Sequence, residues 1–408
     1  MRQRLLESYA DLIVTIGLSV REGQPVLVRA EVANRRFARM LAERAYEAGA
    51  VFVDVRFDDP FLLKTRVEKT AESEYLEYVP SFTEGRYEKI LEDDWASISL
   101  RGSEDPDLLD DCDPTRLGKV RRAVGRARRS FLAGISSNRV AWNVCLHPTE
   151  KWAAKVLGET ESWEEKIWEV LAPILRLDRE DPSRAWLEQD AELKRRAGFM
   201  NSRLFDRIHF RGPGTDLYVG MRPDRRFRGG RSVSRSGIEF FPNIPTEEIF
   251  STPDLSRTEG RFRCTRPVEV LGKLVEGAWF ELEEGMVSSF GADRNPEVLE
   301  KYLEIDDNAG YLGEVALVDI ESPIYKSGKI FYNILFDENA ACHVALGNGY
   351  SDCLEGGASM SSEELLEAGC NVSLVHTDFM LGSEEVSVHG VSESGSEQPV
   401  IVDGRFVI

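Results

Sequence analysis

The sequence predicts an α/β protein in two parts: an N-terminal α/β domain with a parallel sheet, residues 1–204, and a β-rich α+β C-terminal domain, residues 205–408. Three observations predict it. The first stretch alternates helical and extended patterns, the βαβ rhythm of a parallel sheet covered by helices. Near residue 205 the texture changes to short runs of period-two alternation separated by Gly, Pro, Asn and Asp. A chain of 408 residues, 42% of them hydrophobic, is also long enough for two cores.

The elements follow in order. Leu5, Leu6, Tyr9, Leu12, Ile13 and Ile16 recur at helical spacing, and Gly17 ends that helix. Gly23-Gln24-Pro25 turns the chain into the apolar run 26–28. A second helix passes through Phe37, Met40, Leu41, Ala45 and Ala48 and stops near Gly49, before a strand over 51–55. Residues 84–200 continue in this style, with strands at 97–100 and 139–142 and helices at 163–175 and 182–204. In the second part, strands are expected over 207–211, 216–219, 260–264, 267–270, 285–290, 329–336 and 399–402. Two glycine-rich stretches, at Gly212-Pro213-Gly214 and Gly229-Gly230, lack the spacing of a phosphate loop and read as turns.

Composition narrows the partners. A net charge of -20 argues against nucleic acid and against an anionic membrane surface. The basic run from Lys119 to Arg129 is the exception and reads as a solvated helix face. No apolar run approaches the roughly 18 residues that span a bilayer, and the charged start gives no secretory signal. Six cysteines are scattered without a C-x-x-C pair, which suits buried free thiols in a reducing, cytoplasmic setting.

Chemistry concentrates in the C-terminal half. Residues 312–320 read as a buried strand, and alternation puts Glu314 on a face with Leu312, Ala316, Val318 and Ile320. A carboxylate there costs several kcal/mol unless it is paired or bound to a metal. Residues 372–380 read as another strand, in which His376 and Asp378 project from one face about 6–7 Å apart at Cβ. That pair suits two ligands of one metal or of two adjacent metals, and equally a hydrogen-bonded core pair. In 337–347, Asp337 caps a short helix that Gly347 ends, so Glu338 and His343, five apart, do not share a helical face. His343 alone reads as a core histidine and Cys342 as a buried thiol. Thr246 before Glu247 and Glu248 reads as a helix N-cap. Together Glu248, Glu314, Glu338, His343, His376 and Asp378 form a thiolate-free donor set that fits Zn, Mn, Co or Mg, and it is the kind of set a two-metal hydrolase uses.

At these residues the sequence resembles the thermophilic-aminopeptidase family of metallopeptidases. The stretches that carry the resemblance are 243–250, 312–318, 337–347 and 375–383, with 16–25 and 210–217 as further family-like segments. It covers nearly the whole chain. The resemblance implies two divalent metal ions per chain (Zn, Co, Mn or Mg), held by Glu248, Glu314, His343, His376 and Asp378, with Glu314 as the bridge. Glu248 is preferred to its neighbour Glu247 from its distance to Glu314. Glu338 matches a family carboxylate that faces the metals, and Tyr350 matches the active-site tyrosine. Glu338 or Glu247 would shuttle the proton. The C-terminal domain is then the metal-binding catalytic one. It would release N-terminal amino acids from peptides with a free N-terminus, in a homodimer whose active sites face an enclosed cavity. Two alternatives keep the fold: a dinuclear amidase or esterase acting on non-peptide substrates, and a non-catalytic member.

Overall fold

In the computed structural model, which describes residues 2–408, the chain divides into two units. One comprises Met1–Ala185 with Arg231–Ile244, the other Trp186–Gly230 with Pro245–Ile408. The change of sequence texture near residue 205 therefore lies inside the second unit.

The first unit opens with α1 (Arg2–Leu12) and is built on four strands: β1 (Pro25–Glu31), β2 (Phe52–Asp58), β3 (Ala96–Arg101) and β4 (Trp142–Leu146). They pair in parallel in the order β2-β1-β3-β4. Val26, Leu27 and Val28 are fully buried on both faces, as a strand covered by helices on two sides requires. Those helices are α2 (Arg35–Glu47), α3 (Pro60–Lys69), α4 (Phe82–Glu92), α5 (Pro114–Ala127), α6 (Arg129–Ser136), α7 (Glu150–Leu157) and α8 (Trp163–Ile174). Leu27 packs with Ile90 and Leu91 of α4 and Phe131 of α6. The strand expected at 139–142 begins only at Trp142. Asn138, at φ 52, turns the chain after α6, and the Arg139 N–H donates to Gly134 O at 2.8 Å. The basic run forms α5 and the start of α6. Arg126 pairs with Glu77 at 3.0 Å there, and Arg121 and Arg122 are exposed.

The long helix α9 (Pro182–Arg203) leads into the second unit, where β5 (Arg207–Gly212) and β6 (Thr215–Gly220) form a hairpin. The small hairpin of β7 (Ser232–Val233) and β8 (Glu239–Phe240) belongs to the first unit. There follow β9 (Glu248–Ser251), β10 (Thr258–Arg263), β11 (Val268–Val270), β12 (Lys273–Val275), β13 (Trp279–Glu283) and β14 (Met286–Gly291). After α10 (Pro296–Leu303) come β15 (Leu312–Val318), α11 (Pro323–Lys326), α12 (Ile334–Asp337), β16 (His343–Gly347), α13 (Ser362–Glu367), β17 (His376–Met380), β18 (Ser387–Val391), β19 (Glu397–Val402) and β20 (Arg405–Phe406). Eight strands make one antiparallel sheet, in the order β14-β13-β10-β6-β5-β18-β19-β20. Four make a second, in the order β17-β16-β15-β9. Phe262 and Phe280 of the larger sheet stack on each other at 5.1 Å, and Phe280 meets Phe379 of the smaller sheet edge-on at 4.8 Å.

Three local expectations are corrected. Residues 329–336 are not a strand: Asn333 caps α12 by accepting from Leu335 N, and the buried Asp337 carboxylate accepts the N–H of Phe331 at 2.8 Å and of Asn333 at 3.1 Å. These bonds curl the backbone and override its alternation. Residues 337–347 are not one helix: Asp337 ends α12, one tight turn covers 338–340, and β16 follows. Thr246 caps no helix, because β9 starts at Glu248. All six cysteines are buried and free. No helix among the described residues is long and apolar enough to cross a membrane.

Candidate metal centre

The four-stranded sheet positions the donors. Its antiparallel registers place Glu314 opposite Ala345 and Ala345 opposite Asp378. The next row runs from Phe250 through Ala316 and His343 to Met380, and Glu248 lies opposite Val318. Residues directly opposite one another share a face, so Glu248, Glu314, His343, His376 and Asp378 all project from one side of the sheet. The small residues Ala316 and Ala345 sit among them.

A bulge corrects the face assigned to Glu314. Leu312 pairs with Leu346 and Glu314 with Ala345, leaving Gly313 as an extra residue between them. Leu312 therefore turns away from Glu314 and joins Val315, Leu317, Val344, Leu346 and Phe379 in the core. The close approach needs glycine: a Cβ at residue 313 would lie 2.2 Å from Asn348 O.

The side chains converge in two overlapping groups. Glu248, Glu314 and His343 offer ligand atoms that all lie within 4.8 Å of one another, and so do Glu314, His376 and Asp378. Glu314 is common to both. His376 Nε2 is 3.2 Å from Glu314 Oε2 and 3.3 Å from Asp378 Oδ1. His343 Nε2 is 3.4 Å from Glu248 Oε2 and 3.9 Å from Asp378 Oδ1. Each imidazole is fixed from behind: His376 Nδ1 donates to Asn348 O at 2.7 Å and His343 Nδ1 to Ala341 O at 3.2 Å. With Nδ1 so engaged, Nε2 is the ring nitrogen that faces the carboxylates and the one a metal would take.

The electrostatics calls for cations. Burial pushes the Glu248 carboxyl up to about 8, despite the pull of His343, and raises Glu314 as well. Burial, then the charges of Glu248 and Asp378, hold Glu338 well above its ordinary value. Burial also opposes ionisation of Asp378, but His376 outweighs it and keeps that carboxyl low. For His376 the balance runs the same way: burial favours the neutral ring, yet Asp378 and Glu314 raise it well above the usual value. Buried Glu248 Oε2 and Asp378 Oδ1 accept no hydrogen bond. Buried oxygens without a hydrogen bond carry a desolvation cost that a loose imidazole contact offsets only in part, and divalent cations bound to carboxylate and imidazole would remove it. The donor set fits such ions and not a thiolate-type structural zinc.

The other expected residues stand around these. The Tyr350 hydroxyl is 3.4 Å from His376 Nε2, and its ring meets Phe250 and His376 edge-on. Loss of solvent and then the charges of Glu314 and Asp378 raise the phenol well above its ordinary value; with 38% of the residue exposed, the charges are the firmer cause. Glu338 lies outside both groups of converging ligand atoms. So does Glu247, whose carboxylate accepts Gln189 Nε2 at 2.9 Å and whose N–H donates to Asn339 Oδ1 at 2.6 Å. Asn339, fully buried, also reaches Glu338 Oε1 at 3.3 Å and so ties both carboxylate-bearing segments together. The sequence reading missed Asn339 and Gln189. For Asn339, a buried amide beside Glu338 was the available signal. For Gln189, on a distant helix, there was none.

The profile of the thermophilic metalloprotease (M29) family matches residues 2–406. The chain belongs to that family. It is 38% identical over 406 residues to aminopeptidase T of Thermus aquaticus, covering 99% of this chain and 98% of that one. It is 36% identical over 406 residues to aminopeptidase 2 of Geobacillus stearothermophilus, with the same coverage. The solved structure of wild-type AmpT from Thermus thermophilus superposes with a TM-score of 0.93 over the full length of both chains, at 35% identity. As a member of this metalloprotease family, the protein is a hydrolase with a divalent metal cofactor.

Proposed function

We propose that this chain is an aminopeptidase that removes the first residue from peptides with a free N-terminus, using two divalent ions that share Glu314. The observation that carries this reading is the pair of overlapping donor groups with one common carboxylate; the names of its relatives support the aminopeptidase half of it. Glu248 and His343 would hold one ion, His376 and Asp378 the other, and Zn, Co, Mn or Mg fits the donors. When bound, such ions act as Lewis acids on water and on the scissile carbonyl.

The residues around the donors supply the rest. The Tyr350 hydroxyl donates to the oxyanion that develops on the carbonyl, a role worth about 3–4 kcal/mol where comparable donors have been removed. Glu338 takes a proton and returns it to the leaving amine; burial and its carboxylate neighbours raise it well above its ordinary value, the direction a proton carrier needs. Glu247 is the alternative shuttle, although Gln189 engages its carboxylate. The substrate's free amine meets the acidic wall of Glu248, Glu314 and Asp378. Beside His376 a cavity of about 310 Å³, with apolar walls from Val268, Leu274, Ile330 and Met380 and polar ones from Glu269 and Asp337, has room for the first side chain. A homodimer in the cytoplasm completes the proposal. The test compares leucyl p-nitroanilide with its N-acetyl form on metal-loaded enzyme. Only the free amine should be hydrolysed; equal rates on both would make the enzyme an amidase, and no EDTA-sensitive turnover on either would make it non-catalytic.

A further inference from the structure

A second polar cluster lies in the first unit. The order β2-β1-β3-β4 means that the chain leaves β1 to one side, for β2, and comes back past it to β3. The carboxyl ends of β1 and β3 therefore flank a topological switch point, where open parallel sheets take their ligands. Arg29 of β1 stands there, on the same face as Leu27 and in register with Ser99. Arg101 ends β3, two residues beyond Ser99. Arg128, of the basic run, stands between α5 and α6.

Aromatic rings bring Arg29 and Arg128 together, and Arg101 is close enough to feel the charge of both. The Arg29 guanidinium lies over Phe131 at 5.4 Å and that of Arg128 over Tyr87 at 5.6 Å, and the two rings are 4.8 Å apart. None of the three arginines has an ion pair among the described residues, unlike Arg126 of the same run. Arg29 Nε, Arg128 Nε and Ser130 Oγ, the last in the first turn of α6, are buried without any hydrogen-bond partner. Stacking on aromatics explains the planes of the guanidinium groups. It does not explain three orphaned donors, since buried polar groups are ordinarily satisfied. The charges are also uncomfortable together. Burial and then Arg128 lower Arg29 to about 10; loss of solvent and then Arg128 also lower Arg101, where, the residue being exposed, the charge of Arg128 is the firmer cause. Asp58 is the carboxylate felt by Arg29, Glu31 and Asp58 those felt by Arg101, and Glu31 accepts the Glu104 N–H at 3.1 Å.

We propose that this cluster at the switch point binds a phosphoryl group, as inorganic phosphate or a phosphate monoester, between Arg29, Arg101 and Arg128 with Ser130 at its edge. Three guanidinium forks and a hydroxyl offer more donors than one carboxylate has lone pairs to accept, and they suit the several oxygens and double charge of a phosphoryl group. The site is separate from the metal centre, and its occupancy is read without the peptidase reaction.

Isothermal titration of the metal-loaded full-length protein with inorganic phosphate, at constant ionic strength, tests it. Wild type should bind saturably. Arg29→Gln, Arg101→Gln and Arg128→Gln should each weaken binding at least about tenfold, as loss of a charge-assisted hydrogen bond does, while Arg126→Gln should leave it unchanged. Acetate should not compete. Retained peptidase activity shows that a variant is folded, and if one variant fails to fold the other two decide. Absence of saturable binding in wild type overturns the proposal. Binding that survives all three substitutions also overturns it and places the phosphate on the metals. Acetate competing as well as phosphate overturns the phosphoryl assignment.

Discussion

Replacing Gly313 by alanine should disable the metal centre while leaving the fold standing. The new Cβ would lie 2.2 Å from Asn348 O and 2.4 Å from Gly347 O. An acceptable carbon–oxygen contact is about 3.3 Å, so the backbone of β15 or of residues 347–348 must move by about 1 Å. Either movement reaches the donors. Residue 313 precedes Glu314, and Asn348 O is the acceptor that orients His376. A misplacement of about 1 Å costs roughly 10²-fold in rate, and overpacking of this kind costs about 1–3 kcal/mol in stability. The measurements are kcat/KM on leucyl p-nitroanilide, metal content by plasma mass spectrometry, and thermal unfolding. We expect a loss near 10²-fold in kcat/KM, reduced metal content and a lowered but cooperative melt. Near-wild-type turnover with full metal occupancy would refute the reasoning, because the bulge would then be free to relax without disturbing the ligands.

Three further outcomes are expected. Glu314→Gln should lose both ions together and about 10²-fold or more of activity, since even groups that only support ligands are worth 10–100-fold; normal turnover with two ions bound would remove Glu314 from the bridging role. Tyr350→Phe should lower kcat about 10²–10³-fold with metal content intact, and loss of metal instead would make Tyr350 a ligand. Stripping the metal should lower the melting temperature, by more as the pH rises. Burial sets the folded Glu248 carboxyl at about 8, above its ordinary value, so its favourable protonated state is complete below the ordinary carboxylate range and is lost as the pH rises through about 8. A melting gap between metal-loaded and EDTA-treated protein that stays constant from pH 6 to about 8.5 would contradict this.

Much of the centre was legible in the sequence because its residues are chemically expensive where they stand. Glu314 in an apolar run and the spacing of His376 and Asp378 announced themselves by cost and by period. The bulge at Gly313 was not legible, since alternation assumes an unbroken ladder, and it moved Leu312 to the other face. Asp337 misled in a similar way: as a residue type it signals a cap, yet it folds 331–333 back onto its own carboxylate. The pairing of strands whose partners lie 64 to 70 residues apart, such as β9 with β15, lay beyond local pattern, and with it the identity of the neighbours that fix each imidazole. Of the three arginines in the first unit, Arg128 was visible only as part of a basic run, and Arg29 and Arg101 gave no signal. That Arg128 lacks the partner Arg126 has is a fact of packing.

Ala345 sits in the row between Glu314 and Asp378 and is fully buried. A valine there would put two methyl groups into the hollow between those carboxylates while preserving every polar residue around it. Within such a lineage, silence could arrive through a change that looks conservative. The size of what stands at position 345 therefore tells an active descendant from an idle one better than a roll-call of acids and imidazoles.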